Sequence, residues 1–173
     1  MSNMKRSELI LPVYFDRYIN ETDDVTLPEA LEISLHELEN AALPSWKSIG
    51  NKVYAPGKWT IRDILQHIID TERVFSYRAL SFARGEATVQ PFDEDGYAAN
   101  AGAENRDWDA IMEEAICVRK STISLFNSFT PEMLSKTGMG FKGEYSVHAI
   151  GFILAGHQRW HFSVINEKYL PLL

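Results

Sequence analysis

Two histidines near the end of the chain, His157 and His161, have the spacing of a metal-ligand pair. Side chains four positions apart project to the same face of an α-helix. Both histidines interrupt an apolar stripe that includes Ile153, Leu154 and Ile165. Burying two imidazoles there costs free energy unless their ring nitrogens find partners, and one metal ion would satisfy both. Alternatively, both are ordinary buried histidines whose ring nitrogens form hydrogen bonds with carbonyl or carboxylate groups.

Two familiar catalytic motifs are incomplete in this sequence. Gln158 stands where the His-Glu-x-x-His motif of zinc proteases places its general base, which argues against that mechanism. No histidine is preceded three residues earlier by glutamate, so the ligands of a di-iron bundle are missing. The single cysteine, Cys117, excludes an internal disulfide and a cysteine-cluster metal site. We expect Cys117 to be a small buried side chain rather than a nucleophile.

The other three histidines supply the candidates for a third metal ligand. Helical projection places His36 and His148 away from the apolar stripes of their helices, so we expect both to be exposed. His67 lies at the border of its stripe, about 60° from Ile64. That position suits a groove at the rim of a helix bundle and an ordinary surface histidine equally, and projection does not decide between them.

Four long segments have helical periodicity and recognisable start signals. They run over about 27–43, 61–84, 108–129 and 147–168, and Thr26, Thr60 and Ser146 are the predicted N-caps. Residues 130–132 predict a short extra turn, and the glycines at 138, 140 and 143 predict a loop or small hairpin. The fold class is therefore all-α, and we expect one domain over residues 1–173.

The connection between the second and third predicted helices is unusually long. Residues 85–106 can recross the length of a bundle, which a tight turn cannot do. The sequence therefore favours a four-helix bundle in which the second and third helices run parallel, joined by this long crossover.

Charge and hydropathy narrow the possible partners. Lys and Arg total 17 against 24 Asp and Glu, giving a net charge of −7, which argues against broad binding to nucleic acid. The longest small or apolar run, residues 149–156, is far shorter than the roughly 20 residues of a membrane span. The N-terminal segment lacks a signal-peptide pattern, so we expect a cytoplasmic protein without membrane contact.

Residues Tyr54–Glu72 resemble the signature segment of the DinB-like superfamily, which includes YfiT-type hydrolase-like proteins. The segments Phe92–Tyr97 and Gly156–His161 are similar as well, and the resemblance extends from about residue 14 to residue 170. It implies a four-helix bundle of up-down-down-up topology. It also implies a metal site of three histidines, here His67, His157 and His161, that holds nickel or zinc.

The resemblance further implies a small-molecule enzyme and a homodimer. Three neutral histidines leave a fourth coordination position for water or substrate, as in catalytic zinc sites. We expect activation of a low-molecular-weight thiol or of water, in a thiol S-transferase or hydrolase reaction. The alternative is a non-catalytic bundle that binds metal or a partner protein.

Asp70 is the one candidate for a residue that orients a ligand. It lies one turn from His67 and could accept a hydrogen bond from its imidazole. Equally, Asp70 could be a surface carboxylate that pairs with Arg73 or Arg78. No residue of the sequence is identified as the catalytic nucleophile or base.

Overall fold

Four long helices of the computed structural model, which describes residues 3–173, account for the four predicted segments. Four shorter helices, one hairpin, a π-helical turn at Ile165–Tyr169 that continues α8, and short 3₁₀ turns complete the described part of the fold. In chain order the elements are α1 (Asp16–Ile19), α2 (Leu27–Glu39), α3 (Leu43–Ile49), α4 (Ile61–Ala83), α5 (Glu94–Asn100), α6 (Trp108–Asn127), α7 (Pro131–Ser135), β1 (Thr137–Gly140), β2 (Gly143–Ser146) and α8 (Val147–Val164).

The predicted N-caps begin three of the long helices. The Thr26 N–H donates to the Glu29 carboxylate at 2.8 Å, which closes a capping box at the start of α2. Thr60 Oγ1 accepts from the Asp63 N–H at 3.2 Å, and Ser146 Oγ accepts from the Ala149 N–H at 3.0 Å. The helix predicted over 27–43 ends earlier, at Glu39, because a new helix with a proline in its first turn, α3, begins at Leu43.

Side-chain pairs between α4 and α6 show that these two helices run parallel. Glu72 pairs with Arg119, and one turn further along both helices Ser76 Oγ lies 3.1 Å from Thr122 Oγ1. Sequence numbers therefore rise together on the two helices. The crossover that permits this arrangement contains α5 and a short 3₁₀ turn at Ala103–Asn105.

The remaining pairs complete the topology. Gln158 Nε2 donates to the Ser34 carbonyl, and Leu27 packs over Gly151 near the other end, so α2 and α8 are parallel. On α4 and α8 the early His67 meets the late His157, so this pair is antiparallel. The bundle is up-down-down-up, as predicted.

A buried ion pair and its hydrogen bonds link all four long helices in the middle of the bundle. Arg119 Nε and Nη2 donate to the two Glu72 carboxylate oxygens at 2.7 and 2.9 Å, with both side chains almost fully buried. Arg119 also contacts Ser34 Oγ on α2 and the Leu154 carbonyl on α8. This network fixes α2, α4 and α8 against α6.

Helix α8 is the most enclosed of the four long helices. Every residue from Val147 to Gln158 is buried, because α1, α2, α4 and α7 all pack against it. The prediction that His148 is exposed is therefore wrong: the side opposite the apolar stripe is covered too. The prediction for His36 is confirmed, since its side chain is exposed.

The prediction of a buried Cys117 is also wrong. Helix α6 turns Ile111, Ala115 and Thr122 toward the core, and this leaves Cys117 on its exposed face. The glycine-rich segment forms an antiparallel hairpin of β1 and β2, one of the two predicted outcomes. Within residues 3–173, no helix combines the length and the apolar character that crossing a membrane requires.

Candidate metal centre

Helices α4 and α8 bring the three predicted histidines together at one end of the bundle. His67 lies in the second turn of α4, and His157 and His161 lie in the last turns of α8. His157 Nε2 is 3.0 Å from His67 Nε2 and 3.1 Å from His161 Nε2. The three nitrogens all lie within 4.8 Å of one another, which is the spacing of ligands around one ion.

Burial keeps these imidazoles uncharged at neutral pH. Desolvation lowers the pKa of His67 to about 4 and that of His161 to about 3. The pKa of the fully enclosed His157 falls well below its usual value, through burial first and then through its two neighbours. A neutral imidazole has one bare nitrogen that can bind a metal. Three such rings with converging Nε2 atoms fit a divalent cation.

Thr71 rather than Asp70 contacts the imidazole of His67. Thr71 Oγ1 lies 3.4 Å from His67 Nδ1, where it can accept the ring N–H and leave Nε2 bare. Asp70 instead accepts a hydrogen bond from Gln66 Nε2 at 3.0 Å. Burial raises the pKa of Asp70. These contacts do not support the predicted orienting role of Asp70.

Two aromatic side chains pack directly on the histidine cluster. The Trp59 ring centroid is 4.9 Å from that of His67, and the Tyr18 ring is 5.1 Å from His157. Trp59 precedes the first turn of α4, and its carbonyl accepts a hydrogen bond from the Tyr169 hydroxyl. The cluster therefore has an aromatic neighbour at His67 and another at His157.

Two recesses reach the cluster. The outer groove, of about 290 Å³, exposes His161 between Trp59, Lys58 and Asp95. The aromatic cavity, of about 140 Å³, has His157 in its wall. The other residues that line the aromatic cavity are Tyr14, Phe15, Tyr18, Thr71, Phe75, Arg78, Phe92, Asp93, Glu94, Phe141 and Ile153.

The close seating of α1 on α8 builds one wall of the aromatic cavity. A Cβ atom at Gly156 would overlap the backbone carbonyl oxygen of Tyr18. The glycine therefore permits the contact that carries Tyr18 to His157. The contribution of α1 was not predicted from the sequence, although Gly156, directly before the first histidine of the pair, was the available signal.

The crossover covers the cluster and contributes carboxylates to both recesses. Asp93 caps α5 by accepting from the Gly96 N–H at 3.1 Å. Glu94 lies at the mouth of the aromatic cavity, and burial is the largest cause of its raised pKa. Asp95 lines the outer groove. The crossover thus adds acidic groups near the histidines as well as reversing the chain direction.

The chain is similar in sequence to proteins of a known superfamily. Residues 30–165 match the sequence profile of the DinB superfamily. The chain belongs to the DinB superfamily. A candidate metal-dependent hydrolase of Bacillus mycoides is 27% identical over 156 residues, covering 88% of this chain and 83% of the relative. A second such candidate, from Oceanobacillus iheyensis, is 24% identical over 91% of this chain and 87% of the relative.

A solved structure shares the fold. YfiT from Bacillus subtilis, described as a candidate metal-dependent hydrolase with an unusual four-helix bundle topology, superposes with a TM-score of 0.67. The match covers 92% of this chain and 88% of YfiT at 17% identity. YfiT and this chain therefore share the same bundle fold.

Proposed function

We propose that this DinB-superfamily protein is a metal-dependent enzyme that activates water or a low-molecular-weight thiol, in a hydrolase or thiol S-transferase reaction. His67, His157 and His161 would hold one divalent cation, zinc or nickel, both of which accept imidazole ligands. The observation that carries the proposal is the convergence of three uncharged Nε2 atoms within 4.8 Å. The names of the relatives from Bacillus mycoides and Oceanobacillus iheyensis support the metal-dependent hydrolase form of the proposal.

The chain's own residues have separable tasks in this proposal. When bound, a divalent cation with three neutral ligands and an open position supplies Lewis acidity, which lowers the pKa of water or a thiol. Thr71 Oγ1, 3.4 Å from His67 Nδ1, would accept the ring N–H in the tautomer that leaves Nε2 bare for the metal. Tyr18 and Trp59 limit the access of solvent to the cluster. The aromatic cavity and the outer groove provide two approaches for reactants.

Metal content of the purified protein tests the ligand set. We expect about one equivalent of zinc or nickel in the wild type and in His36→Ala, whose histidine is exposed and distant from the cluster in sequence. We expect His161→Ala to lose at least tenfold in metal affinity, because two ligands remain. Equal metal retention by His161→Ala and the wild type would contradict the proposed site.

Cobalt substitution then separates the two reactions. Addition of cysteine or 2-mercaptoethanol to the cobalt protein should produce a thiolate-to-cobalt absorption band if the site activates thiols. Hydrolysis of small esters or amides that stops on metal removal, without such a band, would favour water as the nucleophile. A loaded protein that shows neither would contradict the enzymatic proposal and favour a non-catalytic metal-binding bundle.

A further inference from the structure

Arg78 is a buried cation in the wall of the aromatic cavity, with no anionic partner. Its side chain is 3% exposed. Within residues 3–173, no carboxylate lies within ion-pair distance of its guanidinium. The other buried arginine of the bundle, Arg119, is paired with Glu72. Because an unpaired buried charge is costly, Arg78 requires an explanation that Arg119 does not.

The contacts of Arg78 hold it in place without neutralising it. Nη2 donates to the Gln90 carbonyl at 2.9 Å, and the guanidinium lies 4.7 Å from the centre of the Phe75 ring. It also faces the Tyr145 hydroxyl, where its charge opposes the rise in the Tyr145 pKa that burial causes. All three partners are uncharged. A guanidinium has five N–H donors in a planar fork, and the donors that Gln90 and Tyr145 leave free match the geometry of a planar carboxylate.

The rest of the aromatic cavity is lined mainly by aromatic rings, and the cavity is small. Its volume of about 140 Å³ is close to that of cavities that hold a single benzene ring, about 150 Å³. Asp93 and Glu94 also line it, but both are exposed at its mouth, and Asp93 is engaged as the cap of α5. Water screens these two charges more than it screens Arg78.

Arg78 and the histidine cluster lie at separate points of the same cavity. Arg78 and Thr71 both line the cavity from α4, and Thr71 contacts His67. They are seven residues apart, which is about 10 Å along the helix axis. A group bound by Arg78 would therefore be held away from the reacting end of the ligand.

We propose that the substrate carries a carboxylate on a compact aromatic or apolar body, with Arg78 binding the carboxylate and the body filling the aromatic cavity beside His157. The identification of this ligand as a substrate rests on the proposed function. The binding event itself depends on Arg78 and the cavity, so it can be measured whether or not the histidines hold metal.

Benzoate and benzamide, which have nearly the same shape and differ in charge, are the probes. Calorimetric titration of metal-loaded and chelator-treated protein should show benzoate binding at least tenfold tighter than benzamide in both preparations. Arg78→Gln should reduce benzoate affinity at least tenfold. Arg73→Gln is the matched control, because Arg73 lies on the same helix but is exposed and pairs with Glu114. Its benzoate affinity should equal that of the wild type.

Arg78→Lys is a second variant for the case that Arg78→Gln does not fold. It keeps the positive charge but lacks the planar fork of the guanidinium. Its benzoate affinity should fall between those of the wild type and Arg78→Gln, at an unchanged circular dichroism spectrum. Equal binding of benzoate and benzamide, or full benzoate affinity in Arg78→Gln, would overturn the proposal. Benzoate binding that requires metal and ignores Arg78 would overturn it while supporting the metal site. Arg78-dependent binding by a protein that takes up no metal would support it and refute the proposed function.

Discussion

His148 is a buried imidazole whose Nε2 atom has no hydrogen-bond partner among residues 3–173. Its ring stacks on Phe152 with centroids 5.6 Å apart, and burial lowers its pKa. The unfolded chain therefore binds a proton at this residue at a higher pH than the folded chain. Below about pH 6.5 the unfolded state takes up more protons, so this residue makes the fold less stable as pH falls.

Replacement of His148 by phenylalanine tests this linkage. The variant keeps a ring against Phe152 and removes both the titration and the unpaired nitrogen. As pH falls from 7 to 5, we expect His148→Phe to become more stable relative to the wild type. The difference between their free energies of unfolding should change by no more than about 1.4 kcal/mol per pH unit. Urea unfolding at the two pH values measures it. A difference between variant and wild type that is independent of pH would contradict the expectation.

At the residue scale, the sequence predicted the candidate site unevenly. Helical periodicity singled out His157 and His161 because polar rings interrupt an apolar stripe. It left His67 undecided, and the family resemblance supplied it. Thr71 and Arg78 were not identified as site residues, because their importance depends on which face of α4 borders a cavity. Only the packing of α1 and the crossover creates that cavity.

At the scale of elements, the contact between α1 and α8 depends on a glycine. Gly156→Ala would force the Tyr18 carbonyl away from α8, which costs about 3 kcal/mol and moves Tyr18 from His157. Gly151→Ala is the matched control on the same helix. Its added methyl group meets only side-chain atoms, the end of Leu27 and the edge of the Phe126 ring, rather than backbone. The higher helix propensity of alanine offsets part of the cost.

We therefore expect Gly156→Ala to lose at least about 2 kcal/mol more stability than Gly151→Ala in urea unfolding. It should also change the fluorescence of Trp160, whose ring is 5.8 Å from that of Tyr18. Equal losses in the two variants would show that the seating of α1 does not require a glycine.

The long helices and the short helix α7 were predictable, whereas the short helices α1, α3 and α5 were not. Capping residues such as Thr60 and Ser146 mark helix starts by local chemistry, which a sequence displays directly. Helix α1 has four residues and α5 has seven, too few to be stable alone in water. Their conformation depends on packing against α8 and α4, and this information is spread over distant parts of the chain.

At the scale of the whole molecule, the histidine cluster joins two helices whose ligands are 90 residues apart in sequence. A metal that binds only the folded state would stabilise the entire bundle. At a free concentration of zinc one hundred times the dissociation constant, we expect about 2.7 kcal/mol of added stability. Thermal unfolding of chelator-treated protein with and without zinc measures the corresponding rise in Tm.

The matched variants for this measurement are His67→Ala and His36→Ala. His67→Ala removes the ligand on α4, so zinc should no longer raise its Tm, whereas His36→Ala should respond as the wild type does. A rise of equal size in all three proteins would indicate zinc binding elsewhere on the surface. The crossover length predicted that α4 and α6 run parallel, so that α8 returns antiparallel to α4. This antiparallel arrangement brings His67, early in α4, beside His157, late in α8.

Helix α8 lies at the centre of the packing but late in the chain, so it is synthesised after the helices that enclose it. The ribosome produces α2, α4 and α6 before α8, and α8 packs against both α2 and α4 in the finished bundle. Until Val147–Gln158 has been synthesised, these earlier helices expose apolar surface that the finished bundle covers. The nascent chain therefore completes neither its core nor its histidine cluster until α8, which carries two of the three histidines, has been made.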